Sequence, residues 1–261
     1  MASSLRLPIW RAVAGLARLT FLEARRTAVG KAVVAAIVIA LCLALFVDRI
    51  VLTEQARATV VTYAVIVRLG IVLLIAQAII ANTVRDLNER IVEHFLALPL
   101  TRLQYAVGKW LGWAGVAAVA GIAAGLPLLG FTETPGRLAW TFSFAAEAVV
   151  VASIALLLAL ALGRIVTAML AFCCLYLFAR ISYLLVLLSN NMGAHQGTLV
   201  ERFDARYVEL ASYLLPRMDR FADTAWLTGS AVRIGPDVLQ GVIYIALLGA
   251  VASIELRRKQ F

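Results

Sequence analysis

The chain has 261 residues, of which 63% are hydrophobic and only 15% are charged. Soluble domains carry about 25% charged residues because their surfaces face water, so this composition excludes an ordinary soluble protein. The net charge is +9, but the basic residues lie at the ends of apolar segments and form no stripe, so we expect no nucleic-acid partner.

The first predicted element is an amphipathic helix over residues 8–28. Apolar side chains such as Leu16 and Leu19 are interspersed with arginines such as Arg11 and Arg18. A helix of this kind can lie flat in the membrane interface, with its arginines near lipid phosphates. We therefore expect an interfacial helix before the first span.

Six apolar segments follow, each close to the ~20 residues that cross the hydrocarbon core of a bilayer. They cover residues 32–52, 59–81, 105–129, 139–162, 165–188 and 238–254. The predicted fold class is all-α: a polytopic membrane protein with about six transmembrane helices, forming one transmembrane domain over residues 1–261. Region 189–236, before the last span, is expected to be external and to contain short helices.

The distribution of lysine and arginine predicts the orientation. One side of the membrane receives the arginine-rich N-terminus, the 82–104 loop, Arg164 and the basic tail at 257–259. Cytoplasmic loops are the ones that carry this excess. We expect both termini in the cytoplasm and the protein in the cell inner (cytoplasmic) membrane.

The 82–104 loop carries the strongest functional signal. Apolar residues recur there at helical spacing, namely Leu87, Ile91, Phe95 and Leu98. Charged residues cover the remaining faces, and Pro99 ends the pattern, which predicts a cytoplasmic helix over 83–99. Two interpretations stay open at this point: a helix that docks into a partner's groove, or a solvated connector on the membrane surface.

The same loop resembles the hallmark of ABC-2 type transporter permeases. In that family an Arg/Glu-rich helix is followed by Leu-x-x-Pro-(Leu/Ile)-(Ser/Thr)-Arg and then by Gly-Lys at the start of the third span. The matching residues are Arg85, Glu89, Leu96, Pro99, Leu100, Thr101, Arg102, Gly108 and Lys109. The stretches 20–27, 214–221 and 254–261 are also similar to family segments, although many members carry Gly-Thr where this chain has residues 90–92.

The resemblance implies the membrane-spanning subunit of an ATP-driven ABC exporter, paired with itself or with a sister permease in the lipid bilayer. It implies a separate ABC ATPase subunit that grips the 83–99 coupling helix, with ATP and Mg²⁺ bound to that partner and no cofactor in this chain. The expected ATPase contacts are Arg85, Asp86, Glu89, Arg90 and Glu93. The chain has no Gly-x-x-x-x-Gly-Lys-(Ser/Thr) motif, so it is not expected to be an enzyme. The alternative is a membrane scaffold or assembly factor that transports nothing.

Three charged residues fall well inside predicted spans: Arg68, Glu147 and Arg180. A charge at the middle of a membrane helix costs ~2.5–3.5 kcal/mol even on the most lenient scale, so such residues need a partner. Their predicted depths are alike, and we expect Glu147 to pair with Arg68 or Arg180. The pair is either a structural lock between helices or part of the lining of an outward-facing pathway.

Two further predictions concern the spans themselves. Glycines recur along the third span, at 112, 115, 121 and 125, and should let neighbouring helices approach closely. Neither a nucleophile–base pair nor a cluster of metal-ligating side chains is recognisable, so no catalytic or metal site is predicted.

Overall fold

The computed structural model describes residues 9–50, 55–89, 102–131, 134–193, 218, 221, 223–228 and 235–258, and within them the chain is all-helical with no strand. The α-helices are α1 (Ile9–Arg26), α2 (Val29–Ile50), α3 (Gln55–Asn88), α4 (Arg102–Ala124), α5 (Thr134–Leu162), α6 (Ile165–Gly193) and α7 (Gly235–Arg258). Short 3₁₀ helices cover Pro127–Gly130 and Thr224–Thr228.

Within the described residues, four helical segments are long and apolar enough to cross a membrane. They are Val29–Ile50, Arg57–Asn88, Gln104–Gly130 and Pro135–Leu162. Large apolar side chains on the outside of the bundle are exposed, and Val166 is 78% exposed. Such surfaces are unfavourable in water but suited to lipid, so the chain is associated with a membrane.

The bundle is built around α5. This helix contacts α3, α4, α6 and α7, and its side chains Trp140 and Phe144 are fully buried. Between α5 and α6 the chain turns at Gly163, whose φ of 63° lies in the left-handed region that glycine adopts without a steric penalty. The turn is tight, as the Gly163-Arg164 pair predicts.

Helix α4 packs closely against α1 and α5 through its glycines, as predicted for this span. A methyl group on Gly112 would lie 2.5 Å from Cβ of Thr20 in α1. A methyl group on Gly121 would lie 2.7 Å from Cα of Ala145 in α5. Gly115 is less constrained, since its nearest neighbour would be Phe21 at 3.6 Å. Small residues at these contacts let the helix backbones approach closely.

The predicted N-terminal amphipathic helix is α1. Leu16, Thr20 and Ala24 form its buried face, and its arginines at 11, 18, 25 and 26 are exposed. The buried face packs on α4, so α1 is fixed to the bundle.

The predicted 83–99 helix is described only at its beginning. Residues 83–88 are the last turns of α3, which continues without a break beyond the predicted end of the second span at residue 81. Residues 90–101 lie outside the described residues. In the predicted external region the structure describes the end of α6, Met218, Phe221 and residues 223–228.

Candidate functional site

Charged and polar side chains gather at two levels of the bundle. The first, which we call the outer cluster, consists of Arg68, Glu147, Tyr176 and Arg180. The second, the inner cluster, consists of Glu23, Asn82, Arg85, Asp86, Tyr105 and Lys109. They contact different levels of α3, because Arg68 lies near the middle of this helix and Arg85 lies in its last turn, almost five helical turns later.

The outer cluster is centred on Glu147 of α5. Its carboxylate Oε2 lies 2.5 Å from Nη2 of Arg68 in α3, so Arg68 is the partner among the two that the sequence suggests. Tyr176 of α6 donates a hydrogen bond to Oε1 at 3.0 Å. Arg68 and Glu147 are 3% and 0% exposed, so three helices are joined through groups removed from solvent. Removing either partner would leave an uncompensated buried charge.

A short segment before α7 completes the outer cluster with backbone oxygens. The carbonyl of Met218 accepts hydrogen bonds from Arg180 at 2.6 Å and from Arg68 at 3.3 Å. The carbonyl of Phe221 accepts a second hydrogen bond from Arg68. Met218 and Phe221 are themselves buried, so these two carbonyl groups meet the guanidinium groups away from solvent.

The three intramembrane charges predicted from the sequence therefore converge on one place. In the conformation described, Arg68 and Glu147 are buried between helices, Arg180 is partly exposed, and both arginines donate to backbone carbonyls of Met218 or Phe221. Of the two interpretations of these charges, this burial favours a structural lock between helices for the conformation described. Their role as the lining of a pathway stays a prediction.

The inner cluster joins the end of α3 to α1 and α4. Asp86 and Lys109 of α4 form a direct ion pair whose side chains are each 7% exposed, and the Tyr105 hydroxyl lies 3.5 Å from the same carboxylate oxygen. Asn82 donates to Oε1 of Glu23 in α1 at 2.9 Å. Thus two side chains of α3, one turn apart, hold it against two different helices.

The predicted ATPase contacts divide into different environments. Asp86 is buried and paired with Lys109, so its carboxylate is not presented to a second protein in this conformation. Arg85 and Glu89 are exposed. Arg90 and Glu93 lie outside the described residues. The lysine partner of Asp86 could have been suspected from the sequence, since Gly108-Lys109 belongs to the quoted pattern and Lys109 lies well within an apolar helix.

A cavity of about 490 Å³ adjoins the inner cluster. Its wall includes Asn82, Arg85 and Asn88 of α3, Glu89 directly after that helix, and Trp113 of α4. The remaining wall consists of two alanines of α3, the α1–α2 junction and the first residue of α6. No sequence pattern predicts this cavity, because the cavity depends on how four segments meet.

Among the described residues, no group of three or more His, Cys, Asp or Glu side chains is arranged to hold a metal ion. The chain matches no known protein-family model and no curated protein sequence.

Proposed function

We propose that this chain is the membrane-spanning subunit of an ATP-driven ABC exporter. It would form the translocation pathway as a dimer, with itself or a sister permease, and couple to a separate ATPase subunit. The proposal rests on two observations. The 85–109 stretch resembles ABC-2 permeases, and an ion pair between Asp86 and Lys109 joins α3 to α4 at the two ends of that stretch.

In the proposed topology the protein crosses the cell's inner membrane six times, and both termini lie in the cytoplasm. Besides the four long apolar helices, α6 has 29 residues and α7 has 24. At 1.5 Å per residue they extend about 44 and 36 Å, enough to cross a hydrocarbon core of about 30 Å. The inner cluster then lies on the cytoplasmic side, where the Lys and Arg residues of the loops also accumulate.

The observation that carries the proposal is the Asp86–Lys109 ion pair. The ion pair joins the last turns of α3 to the first turns of α4, so the two helix ends that flank the connecting segment are held together. A force applied to that segment would move both helices together. A loose connector on the membrane surface would have no need of a buried ion pair at its base.

Movement of the joined ends of α3 and α4 would be transmitted to the rest of the bundle through close helix contacts. Helix α4 touches α1 at Gly112 and α5 at Gly121, where little space is available for sliding. ATP binding in the partner would push the coupling segment and tilt these helices as a group. The outer cluster, opened by the same tilt, would then line the outward-facing pathway.

Copurification with an ATPase tests the proposal. The tagged chain is extracted from its native membrane in mild detergent, and ATP hydrolysis that remains bound after washing is measured. We expect retained, Mg²⁺-dependent hydrolysis, which falls in Arg85→Glu. The matched control is Arg49→Glu, because Arg49 is likewise an exposed arginine in the last turn of an apolar helix.

Three outcomes would count against the proposal. A complex without any ATPase, together with no ATP-dependent transport in vesicles, would favour the scaffold alternative. An equal loss in Arg85→Glu and Arg49→Glu would mean that the charge change acts non-specifically. Retention unaffected by Arg85→Glu, Glu89→Lys and Glu93→Lys together would remove the coupling segment as the contact.

A further inference from the structure

A second cavity, which we call the α2–α4 groove, has a volume of about 390 Å³. Helix α2 packs on α3, and α1 packs on α4, so the groove is the space left between these two pairs of helices. The end of α1 closes it on one side with Phe21, Ala24 and Arg25. The other lining residues belong to α2 and α4, namely Val29, Gly30, Val33, Val34, Val116, Val119, Ala120 and Ala123.

The side chains of the groove cannot fill it themselves. On α2 and α4 the described lining consists only of valine, alanine and glycine. Valine is branched at Cβ and rotates little, and the other two are too short to reach across. A methyl group added to Gly30 would meet nothing within 4 Å. An empty space would deprive the lining atoms of dispersion contacts, so in a bilayer we expect an apolar chain to occupy the groove.

The groove reaches from the membrane surface into the hydrocarbon. Its mouth lies beside Val29, the first residue of a helix long and apolar enough to span the membrane. Val33 and Ala120 are buried deep in it, whereas Val34 and Val119 are exposed at its edges. The lining residues of α4 extend over about 10 Å along that helix, which is enough for the upper part of one acyl chain.

The charge around the mouth of the groove is positive. Arg25 lines the groove and is exposed, and the nearby Arg26 and Lys31 are exposed as well. No acidic residue occurs at positions 24–47 or in α4, the two stretches that contribute all but one of the lining residues. The nearest carboxylate along the chain, that of Glu23, is bound to Asn82 and lies close to Arg85. An anionic headgroup would therefore meet several cations and no opposing charge.

We propose that the α2–α4 groove binds one anionic phospholipid of the surrounding bilayer. One acyl chain lies between α2 and α4, and the phosphate accepts hydrogen bonds from the Arg25 guanidinium. Basic pockets between membrane helices are a known form of site for anionic headgroups. The binding requires membrane insertion but no ATPase partner, so it goes beyond the proposed function.

The headgroup decides which lipid is preferred. An acyl chain gains little hydrophobic free energy by leaving other lipid tails for the groove, because both surroundings are apolar. Every phospholipid offers a phosphate, but phosphatidylcholine also brings a cation to a mouth that has no described carboxylate. We expect phosphatidylglycerol to bind about fivefold more tightly than phosphatidylcholine, the effect of about one basic residue near an anionic surface.

Native mass spectrometry of the delipidated full-length protein tests the proposal. The protein in detergent is titrated separately with phosphatidylglycerol and phosphatidylcholine of identical acyl chains, and bound lipid is counted. We expect one phosphatidylglycerol to be retained in preference to phosphatidylcholine. Equal retention of the two lipids, or a preference for phosphatidylcholine, would overturn the assignment.

Gly30→Leu places the retained lipid in the groove. The added side chain would occupy the open space beside α2, and we expect at least a fivefold loss of phosphatidylglycerol binding. Gly249→Leu in α7 is the matched control, since its added side chain also enters open space but does not line the groove. Unchanged binding in Gly30→Leu, or an equal loss in both variants, would contradict the proposal.

Arg25→Gln tests the headgroup contact without altering the shape of the groove. We expect it to reduce the preference for phosphatidylglycerol to about twofold or less. The control is Arg18→Gln, because Arg18 is an exposed arginine of the same helix that does not line the groove. If both variants lose the preference equally, the attraction is a general one between basic residues and anionic lipid, and the proposal fails.

A second copy of this chain is the competing occupant of an apolar groove, and the same spectra report it. We expect Gly30→Leu to leave the ratio of monomer to dimer unchanged. A shift from dimer to monomer with an unchanged lipid count would show that the groove is an interface between copies. These measurements use the chain without an ATPase, so a failure to copurify an ATPase would leave the lipid assignment intact, and the two proposals can fail separately.

Discussion

The two clusters are built from the same kinds of side chain but differ in how completely the chain encloses them. In the outer cluster, Arg68 and Glu147 are 3% and 0% exposed, and backbone carbonyls of Met218 and Phe221 cover the arginine. In the inner cluster the Asp86–Lys109 pair is similarly buried, but the neighbouring Glu23–Arg85 pair is about half exposed beside an open cavity. The Arg68–Glu147 pair of the outer cluster is enclosed by this chain, whereas the inner cluster keeps one side open to solvent or to a partner.

The largest expected effect belongs to the outer cluster. Glu147→Gln removes the charge that compensates buried Arg68, and we expect a loss of about 3–5 kcal/mol in the free energy of unfolding. Denaturant titration of the purified protein in detergent measures it. The double variant Arg68→Met with Glu147→Leu should recover most of the loss, because Arg68, the charge that Glu147 compensates directly, is then removed with it. Wild-type stability of Glu147→Gln would show that water or lipid reaches Arg68 and that the outer cluster is not closed.

The second-largest loss of stability is expected at the buried Asp86–Lys109 ion pair of the inner cluster. Asp86→Asn leaves Lys109 without its ion pair, and we expect a loss of about 2–3 kcal/mol. The loss should be smaller than that of Glu147→Gln, since a lysine near the membrane surface can reach toward headgroups with its flexible side chain. The same titration compares the two, with Asp86→Asn plus Lys109→Met as the charge-free control. If Asp86→Asn costs more than Glu147→Gln, the two clusters are not ranked by their distance from the membrane surface.

Gly112→Ala tests the close contact between α1 and α4, the helix that carries Lys109 of the inner cluster. The added methyl group would fall 2.5 Å from Cβ of Thr20, and overpacking of this kind costs about 1–3 kcal/mol. Gly15→Ala in α1 is the control, since nothing lies within 4 Å of the added methyl group. It should stabilise the helix by about 0.5–1 kcal/mol, so the two changes differ in sign. Thermal unfolding followed by circular dichroism would contradict the close packing if both variants were stabilised.

The smallest effect is expected at the open side of the inner cluster. Arg85→Gln removes an ion pair whose side chains are 55% and 42% exposed, which contributes at most about 1 kcal/mol. Unfolding measurements should therefore find Arg85→Gln close to the parent protein, although it is expected to weaken retention of the ATPase. A large loss of stability would mean that Arg85 is part of the protein's own architecture and not available to a ligand or partner.

The helices could be predicted because the signals for them are local. Runs of apolar residues give the spans, Gly163 gives the tight turn, and the arginines of α1 give its amphipathic character. The position of Glu147 beside Arg68 was one of two options, because depth along a helix can be counted but rotation of one helix against another cannot. The resemblance that suggests an ABC-2 permease comes from short motifs, and the helices by themselves add no test of it.

Other parts of the sites could not be predicted, for physical reasons. The oxygens of Met218 and Phe221 belong to the backbone, which is the same at every residue. Asp86 is charged, which by itself predicts a surface position. Its burial is tolerated because it forms an ion pair with Lys109, which is distant in the sequence but adjacent in the fold. The cavity wall combines residues of four segments, so its lining residues have no common pattern in the sequence.

The carbonyl cover of the outer cluster has a consequence for how this protein can evolve. An arginine that is neutralised by a partner's side chain ties two positions together, so a change in one demands a change in the other. Arg68 is tied to Glu147 in this way, but Arg68 and Arg180 also bind main-chain oxygens of Met218 and Phe221, so positions 218 and 221 require an apolar side chain of fitting size and no particular amino acid. Related chains should therefore vary in sequence across this segment while its length and path stay the same, and insertions there should be tolerated less than substitutions.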